Sequence, residues 1–348
     1  MTRKSSSVTI RDVAKYAGVS VATVSRYVNQ NAPVSQAAAE RISQVMLDLN
    51  YSPHAAARNL ATNRTLAVGM LLPNMDNDLF GPLFRGIEGV LRPNKYNLLV
   101  ATYNPALWHE VQMPIGPHNT DGLLVFADAL GDEQLQQLAL ANFPVVLMHR
   151  KPSAVLKIPY VTVENEAATR TMIDHLIEAH GRRRIIFMRG PHTQEDSHLR
   201  ESGYRAALAA HGLQFDESLM LEGRFATSVA RQSLGEFILA GKGNFDGIFT
   251  GNDLGAIGVL EVLRENGLRV PEDVSVTGFD DSRLSPYLDP PLSTIHAPTE
   301  EVGRAAARQL VNLLHGEAAE AATLLPTDVI LRRSCGCAYS AGASEGFN

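Results

Sequence analysis

Cysteine is nearly absent, with two among 348 residues, Cys335 and Cys337. A single Cys-x-Cys pair cannot fill a tetrahedral metal site alone, and no paired His or Cys spacing is seen to accompany it; His192 and His198, for example, fit no known metal motif. The pair reads as plain thiols of a reducing compartment, with no metal expected. Long apolar runs are also missing: none approaches the roughly 20 residues needed to cross a bilayer. The first ten residues carry two basic groups, but no apolar stretch follows that could act as a secretion signal. A cytoplasmic chain with no membrane partner is expected. Nucleotide and nucleophile fingerprints are lacking too: no G-x-G-x-x-G opens a helix, and there is no G-x-x-x-x-G-K-[ST] and no G-x-S-x-G. No enzyme activity and no cofactor are expected. Leucine heptads are missing after Cys337, so no coiled coil can build a tetramer, and a homodimer is the economical state.

What is present is an ordinary globular composition, 45% hydrophobic and 20% charged, in a length that allows two or three domains. The net charge of −6 is unevenly spread. Residues 1–64 hold eight Lys/Arg and three acids, a net +5, which leaves −11 for the remainder. A small basic head on an acidic body is the charge layout of a phosphate-binding module attached to something that should not bind DNA.

The head reads as short helices. Thr9 is a good N-cap for a helix carrying Ile10, Val13, Ala14 and Ala17 inward, and Gly18 stands where a left-handed residue ends it. Ser20 caps a second helix two residues later, with Val24 and Val28 inward. Ser35 caps a third that closes the core with Ile42, Val45, Met46 and Leu49. Two helices this short joined by a Gly-containing turn form a helix-turn-helix. Its second helix enters the major groove and presents Val21, Ala22, Ser25 and Arg26. Val21 and Ala22 can meet a thymine methyl, or Val21 is a plain surface valine; Arg26 can reach guanine bidentately or a phosphate. After Tyr51, Ser52 and Pro53 start a stretch to Leu60 too short to be helical alone, so it is expected to fold against a partner or to be a linker.

Val8 to Arg26 (Val-Thr-Ile-Arg-Asp-Val-Ala-Lys-Tyr-Ala-Gly-Val-Ser-Val-Ala-Thr-Val-Ser-Arg) resembles the N-terminal signature of the LacI/GalR family of bacterial repressors. Val34-Ser35, Asn50-Tyr51-Ser52-Pro53 and Ala57-Arg58-Asn59-Leu60 continue the pattern. The resemblance implies DNA contacts from Thr9, Ser20, Val21, Ala22, Thr23, Ser25, Arg26, Asn29, Tyr51, His54, Ala57 and Leu60. It makes 52–60 a hinge helix in the minor groove, with Leu60 as the wedge into the central base step. His54 departs from the family's usual Asn.

From Leu66 onward strands and helices alternate. Strands are expected at Leu66–Leu72, Asn97–Ala101, Gly122–Phe126 and Val145–Met148, then at Arg184–Met188, Gly247–Thr250 and Val274–Gly278. Helices are expected at Phe84–Leu91, Asp132–Ala141, Ala167–His180, Arg200–His211, Ser228–Ala240 and Leu254–Asn266. This predicts an α/β protein with two Rossmann-like lobes of parallel sheet behind the helix-turn-helix domain. The expected domains are a head at 1–50, a hinge and linker at 51–64, a two-lobed body at 65–339 and a tail at 340–348. The N-lobe takes about 65–163 and 297–324, and the C-lobe about 164–296 and 325–339. The resemblance to the LacI/GalR family implies an inter-lobe crossover near Thr294–Pro298, followed by a helix Glu300–Leu314 returning to the N-lobe and a strand-like Thr327–Leu331.

Parallel sheets bind ligands beyond the C-terminal ends of their strands. Those positions nominate Leu79, Phe80, Phe126, His149, Asn252 with Asp253, and Asp280, with Arg200 where a loop enters a helix and Phe225 after Leu219–Glu222. Carboxylate, guanidinium and amide groups beside aromatic rings suit a polyhydroxylated or heterocyclic ligand. Each has a structural rival: Arg200 paired with Asp196 or Glu201, Asp280 and Asp281 as caps, Phe80 and Phe126 as core, Asp253 as a helix cap. Leu-Arg-x-x-Gly-Tyr at Arg200, Asn252-Asp253 and Gly278-Phe279-Asp280-Asp281 resemble the family's effector-pocket motifs. By that resemblance Arg200 and Asp280 bind effector hydroxyls or ring atoms and Phe225 stacks; Asp196 is also expected among the effector-binding residues. Two departures stand out: His149 where the family has Asp, and Pro105, Pro114, Gly116 and Pro117 where it has a charged helix, which must here be short or broken. The lobes also resemble periplasmic sugar-binding proteins. The expected function is a repressor of the LacI/GalR type that binds a palindromic double-stranded DNA operator and answers to a sugar or sugar derivative. The alternatives are a purine or a partner protein as the signal, or a cytosolic solute-binding protein without DNA binding.

Overall fold

A computed structural model describes residues 8–29, 32–51, 64–75, 78–103, 113–241 and 244–338. The chain divides into two units, Met1–Leu66 and Ala67–Asn348. The predicted hinge residues His54, Ala57 and Leu60, and the tail at 340–348, lie outside the described residues.

In the first unit, helices Ile10–Ala17, Val21–Asn29 and Gln36–Asp48 enclose Val13, Ala14, Ala17, Val24 and Ile42. The first two helix starts have a local cause, whereas Ser35 precedes the third without a side-chain cap hydrogen bond. The Asp12 carboxylate accepts from both the backbone N–H and the hydroxyl of Thr9, at 2.8 and 2.7 Å. Gly18 closes the first helix at φ 64°, a conformation that disfavours a side chain. The Ser20 hydroxyl accepts from the Thr23 N–H at 3.1 Å, satisfying a donor that the second helix leaves open.

The second unit carries twelve strands among its described residues. The first five are β1 (Ala67–Leu72), β2 (Asn97–Thr102), β3 (Gly122–Phe126), β4 (Val145–Met148) and β5 (Tyr160–Val163). The next four are β6 (Ile185–Arg189), β7 (Met220–Glu222), β8 (Gly247–Thr250) and β9 (Ser275–Thr277). The last three are β10 (Thr294–His296), β11 (Ala322–Leu325) and β12 (Asp328–Ile330). One sheet runs β11-β5-β4-β3-β1-β2 and a second runs β7-β6-β8-β9, with every pair parallel. Strands β1, β3 and β4 are buried throughout. That suits a sheet covered by helices on both faces and accounts for their unbroken apolar sequence. Helix Thr299–Leu314 packs along helix Phe80–Leu91, and β11 then joins β5. The chain thus returns to the N-lobe before β12 pairs antiparallel with β10.

Four strands escape the sequence reading: β7 was read only as a stretch before Phe225, β10 only as a crossover, and β5 and β11 not at all. β11 lies in an Ala/Glu-rich segment of high helix propensity and is an edge strand whose Leu324 is 59% exposed. β5 is four residues long and directly precedes helix Asn165–Glu178. Of the Pro/Gly-rich stretch, residues 113–119 form bends and turns, and 104–112 lie outside the described residues. The cysteines are not isolated thiols. Folding brings Cys335 and Cys337 beside His175 and His180, with the four potential ligand atoms all within 4.8 Å of one another.

Candidate ligand cleft and nucleic-acid interface

In the head, Val21, Ala22 and Arg26 are exposed on the second helix, while Val24 is fully buried on its opposite face. Ser20 and Thr9 are exposed at helix starts, Thr23 and Ser25 are half-buried, and Asn29 ends the second helix. Tyr51 is half-buried against the small core, and its backbone N–H donates to the Met46 carbonyl at 2.8 Å.

In the body, left-handed backbone marks the ends of four strands. Ala127 (φ 46°) follows β3, His149 (57°) follows β4, Arg224 and Phe225 (49° and 56°) follow β7, and Asp280 and Asp281 (110° and 55°) follow β9. Non-glycine residues in this region carry strain on the order of 1–3 kcal/mol each and cluster where a side chain must be aimed.

Asp196 sits in the first turn of helix Glu195–Ala210, where the helix dipole favours an anion. Its carboxylate is 2.8 Å from His149 Nδ1, accepts from Asn165 Nδ2 at 2.8 Å and lies 3.4 Å from Thr162 Oγ1. Burial opposes its charge, but His149, Arg200 and Asn165 outweigh burial and hold it below the ordinary carboxylate range.

Because this helix starts at Glu195, Arg200 is in its second turn and not at the loop–helix entry expected from sequence. It therefore shares a face with Asp196, 3.6 Å away. Arg200 Nε donates to Asn165 Oδ1 at 2.8 Å and Nη1 to the Gly251 carbonyl. The guanidinium lies 3.5 Å from the Phe279 ring centroid and 5.3 Å from that of Phe225. Glu201 instead pairs with Arg189 and Arg205.

Asp280 is buried 4.0 Å from Arg200. Burial pushes its carboxyl well above the ordinary range; Arg200 opposes this, while Asp253 and Asp196 add to it. Asp281 turns to Arg332 and His296 at 2.8 and 3.2 Å.

Asn252 is the N-cap of helix Asp253–Glu265, accepting from Gly255 N–H at 2.9 Å, and its amide donates to the Phe225 carbonyl. It thereby positions Phe225, whose ring lies over Gly190 and Gly251: a β-carbon on Gly190 would fall 2.2 Å from the ring. Asp253 is not the cap expected from sequence. Its buried carboxylate accepts from Ser282 N–H, Ser285 Oγ and Thr294 Oγ1 at 2.5–2.7 Å, locking the loop after β9 to β10.

On the N-lobe side, aromatic rings adjoin His149, which itself meets Asp196. Phe80 meets Phe126 edge-on at 5.4 Å, and Phe126 lies 5.0 Å from the His149 ring; Leu79, half-buried, immediately precedes helix Phe80–Leu91. His149 Nε2 is buried with no hydrogen-bond partner among the described residues. At the rim, Asp128 accepts from Thr193 and Gln194 of the other lobe at 2.6 and 3.1 Å, and Lys151 N–H donates to Glu195.

Sequence reasoning missed Asn165, Thr162, Phe279 and Asp128. Asn165 and Thr162 go with the unread strand β5, whose C-terminal end would have flagged them. Phe279 was visible inside the Gly-Phe-Asp-Asp motif.

Residues 9–54 match the bacterial regulatory proteins of the lacI family, and residues 173–335 match the periplasmic binding protein-like domain. The transcriptional regulator CelR of Thermobifida fusca is 35% identical over 335 residues, 94% of this chain and 98% of CelR. The chain belongs to the LacI family. Catabolite control protein A of Priestia megaterium is 31% identical over 94% of this chain and 99% of its own length. Among solved structures, a CelR–cellobiose complex superposes with a TM-score of 0.71 at 31% identity. The lac repressor dimer bound to operator and the anti-inducer ONPF gives 0.80 at 27% identity; each covers 94% of this chain and 99% of the other. As a LacI-family member the chain is a DNA-binding transcriptional regulator and not an enzyme. Among the described residues, no helix is long and apolar enough to cross a membrane.

Proposed function

We propose that this regulator is a homodimeric repressor that binds a palindromic operator and is controlled by a sugar held between its lobes. One observation carries the reading: aromatic rings after the N-lobe strands meet the charged groups after the C-lobe strands through the His149–Asp196 contact, and the buried His149 Nε2 has no hydrogen-bond partner among the described residues. Asp196, Arg200, Asp280 and His149 supply donors and acceptors for ring hydroxyls, while Phe126, Phe80, Leu79 and Phe225 cover apolar ring faces. Similarity to a CelR–cellobiose complex supports a glucose-based oligosaccharide. In the head, Val21, Ala22 and Arg26 read base edges, and Thr9, Ser20, Thr23, Ser25 and Asn29 hold the DNA backbone. Tyr51 and the hinge residues His54, Ala57 and Leu60 complete the contact.

A thermal-shift screen of cellobiose, other glucosides and purine bases tests the ligand, since one that favours the native state raises its melting temperature. A purine hit with no sugar response removes the sugar reading. For DNA, Arg26→Ala lowers operator affinity and flattens preference at one half-site position by about 1–3 kcal/mol. Equal losses on every sequence would reassign Arg26 to a phosphate.

A further inference from the structure

We propose that His175, His180, Cys335 and Cys337 form a structural zinc site that clips the C-terminal segment onto the C-lobe. The two histidines, a pair the sequence reading overlooked, are separated by four residues at the end of helix Asn165–Glu178, a spacing used by zinc ligands. The negative end of that helix dipole favours a cation there. The two cysteines come from the turn Arg333–Cys335 and the residues just after it, 160 positions along the chain from His175.

Four of the six distances between ligand atoms are those of a filled tetrahedron, and the other two, from Cys335 Sγ to His180 and to Cys337, lie within 4.8 Å. Zn–N and Zn–S bonds of about 2.05 and 2.3 Å imply edges of roughly 3.3 Å for N–N and 3.6 Å for N–S. The Nε2 atoms of His175 and His180 are 3.1 Å apart. Cys337 Sγ lies 3.4 and 3.5 Å from those of His175 and His180, and Cys335 Sγ lies 3.7 Å from that of His175. Both side chains of a Cys-x-Cys pair can face one point only if the residue between turns sharply. Gly336 does so at φ 114°, and a β-carbon there would lie 2.8 Å from the His180 ring.

Two thiolates and two neutral imidazoles select a borderline-soft cation, and four protein ligands leave no open position, the pattern of a structural site. Two thiolates also balance the charge of one divalent ion. The clip would do more than fasten the terminus. Cys335 carbonyl accepts from Ser275 Oγ of β9 at 2.7 Å, and Arg332, at the base of the same turn, holds Asp281 beside the cleft residue Asp280. None of this depends on the identity of the effector.

The test is metal content of the reduced full-length chain. One zinc per chain is expected by elemental analysis. After chelation, titration with cobalt should give the intense visible absorption of a tetrahedral cobalt–thiolate centre at one equivalent, and the apo-protein should melt lower by more than about 5 °C. The Cys335→Ser/Cys337→Ser double variant should lose zinc affinity by at least about a hundredfold while keeping operator binding. Wild-type chain that takes up neither metal at equimolar concentration overturns the site, whatever the variant does. So does a chain isolated two hydrogens lighter, as a Cys335–Cys337 disulfide that reduction does not convert to a metal binder. Undiminished zinc uptake by a correctly folded double variant also overturns it.

Discussion

The two walls of the proposed cleft grow from the same kind of parallel sheet, yet one is apolar and the other ionic. Among the described residues every buried acid (Asp196, Asp253, Asp280) and every buried arginine (Arg200, Arg332) belongs to the C-lobe side. The N-lobe wall offers Phe80, Phe126 and one imidazole. A repeated βα framework therefore dictates where a site lies and leaves its chemistry to the residues after each strand. It also follows that the two walls should fail differently. An apolar wall loses packing in proportion to atoms removed, whereas an ionic wall with one partner deleted strands a buried charge.

The largest effect is expected at Arg200. Replacing it by Met leaves Asp196, Asp280 and Asn165 without their shared partner, and should destabilise the body by about 3–5 kcal/mol in urea denaturation. Effector affinity should fall at least about tenfold. A variant as stable as wild type would mean that the ionic wall does not hold the C-lobe together.

Next is Asp253, whose carboxyl burial pushes up to about 6 from an ordinary 3.8, against the pull of its three hydroxyl and amide donors. The folded state keeps this proton longer than the unfolded one. The associated stability is present below about pH 4 and is lost as pH rises through about 6, an effect of about 3 kcal/mol. Measured between pH 4 and 7, the stability of Asp253→Asn relative to wild type should therefore rise by about that amount. A pH-independent difference would show that the buried carboxyl is not the cause.

On the apolar wall, Phe126→Leu removes the ring but keeps a branched apolar side chain, and should cost about 1–2 kcal/mol of stability, less than at Arg200. Sugar affinity should drop about two- to tenfold through the lost aromatic face. A larger loss of stability than at Arg200 would reverse the contrast between the walls.

The smallest effect belongs to the rim. Asp128→Ala removes the bonds to Thr193 and Gln194, and stability should change by no more than about 1 kcal/mol because Thr193 and Asp128 meet at an exposed contact. Faster effector release at unchanged association is the expected signature in stopped-flow kinetics.

Much of this was legible in the chain itself. Capping residues at Thr9 and Ser20, Gly18, and inward valines and alanines wrote the head, because helix starts and stops depend on a few neighbouring atoms. Continuous apolar runs wrote β1, β3 and β4, because a strand buried on both faces has no polar side to show. Positions just beyond strand ends point to Phe126, His149, Phe225 and Asp280. β11 was lost because its pairing with β5 overrides a helix-permitting composition, and a partner 162 residues earlier leaves no local mark.

Sequence alone determined the helix-turn-helix, the alternation of strand and helix, the family and the neighbourhood of the cleft, since each follows from local periodicity or a contiguous motif. Only tertiary structure decided which groups meet. It chose Asp196 over Glu201 for Arg200, turned Asp253 from a cap into a lock on β10, and set two histidines against two distant cysteines. Such pairings are fixed by how whole lobes pack, and residue spacing along the chain carries no record of it.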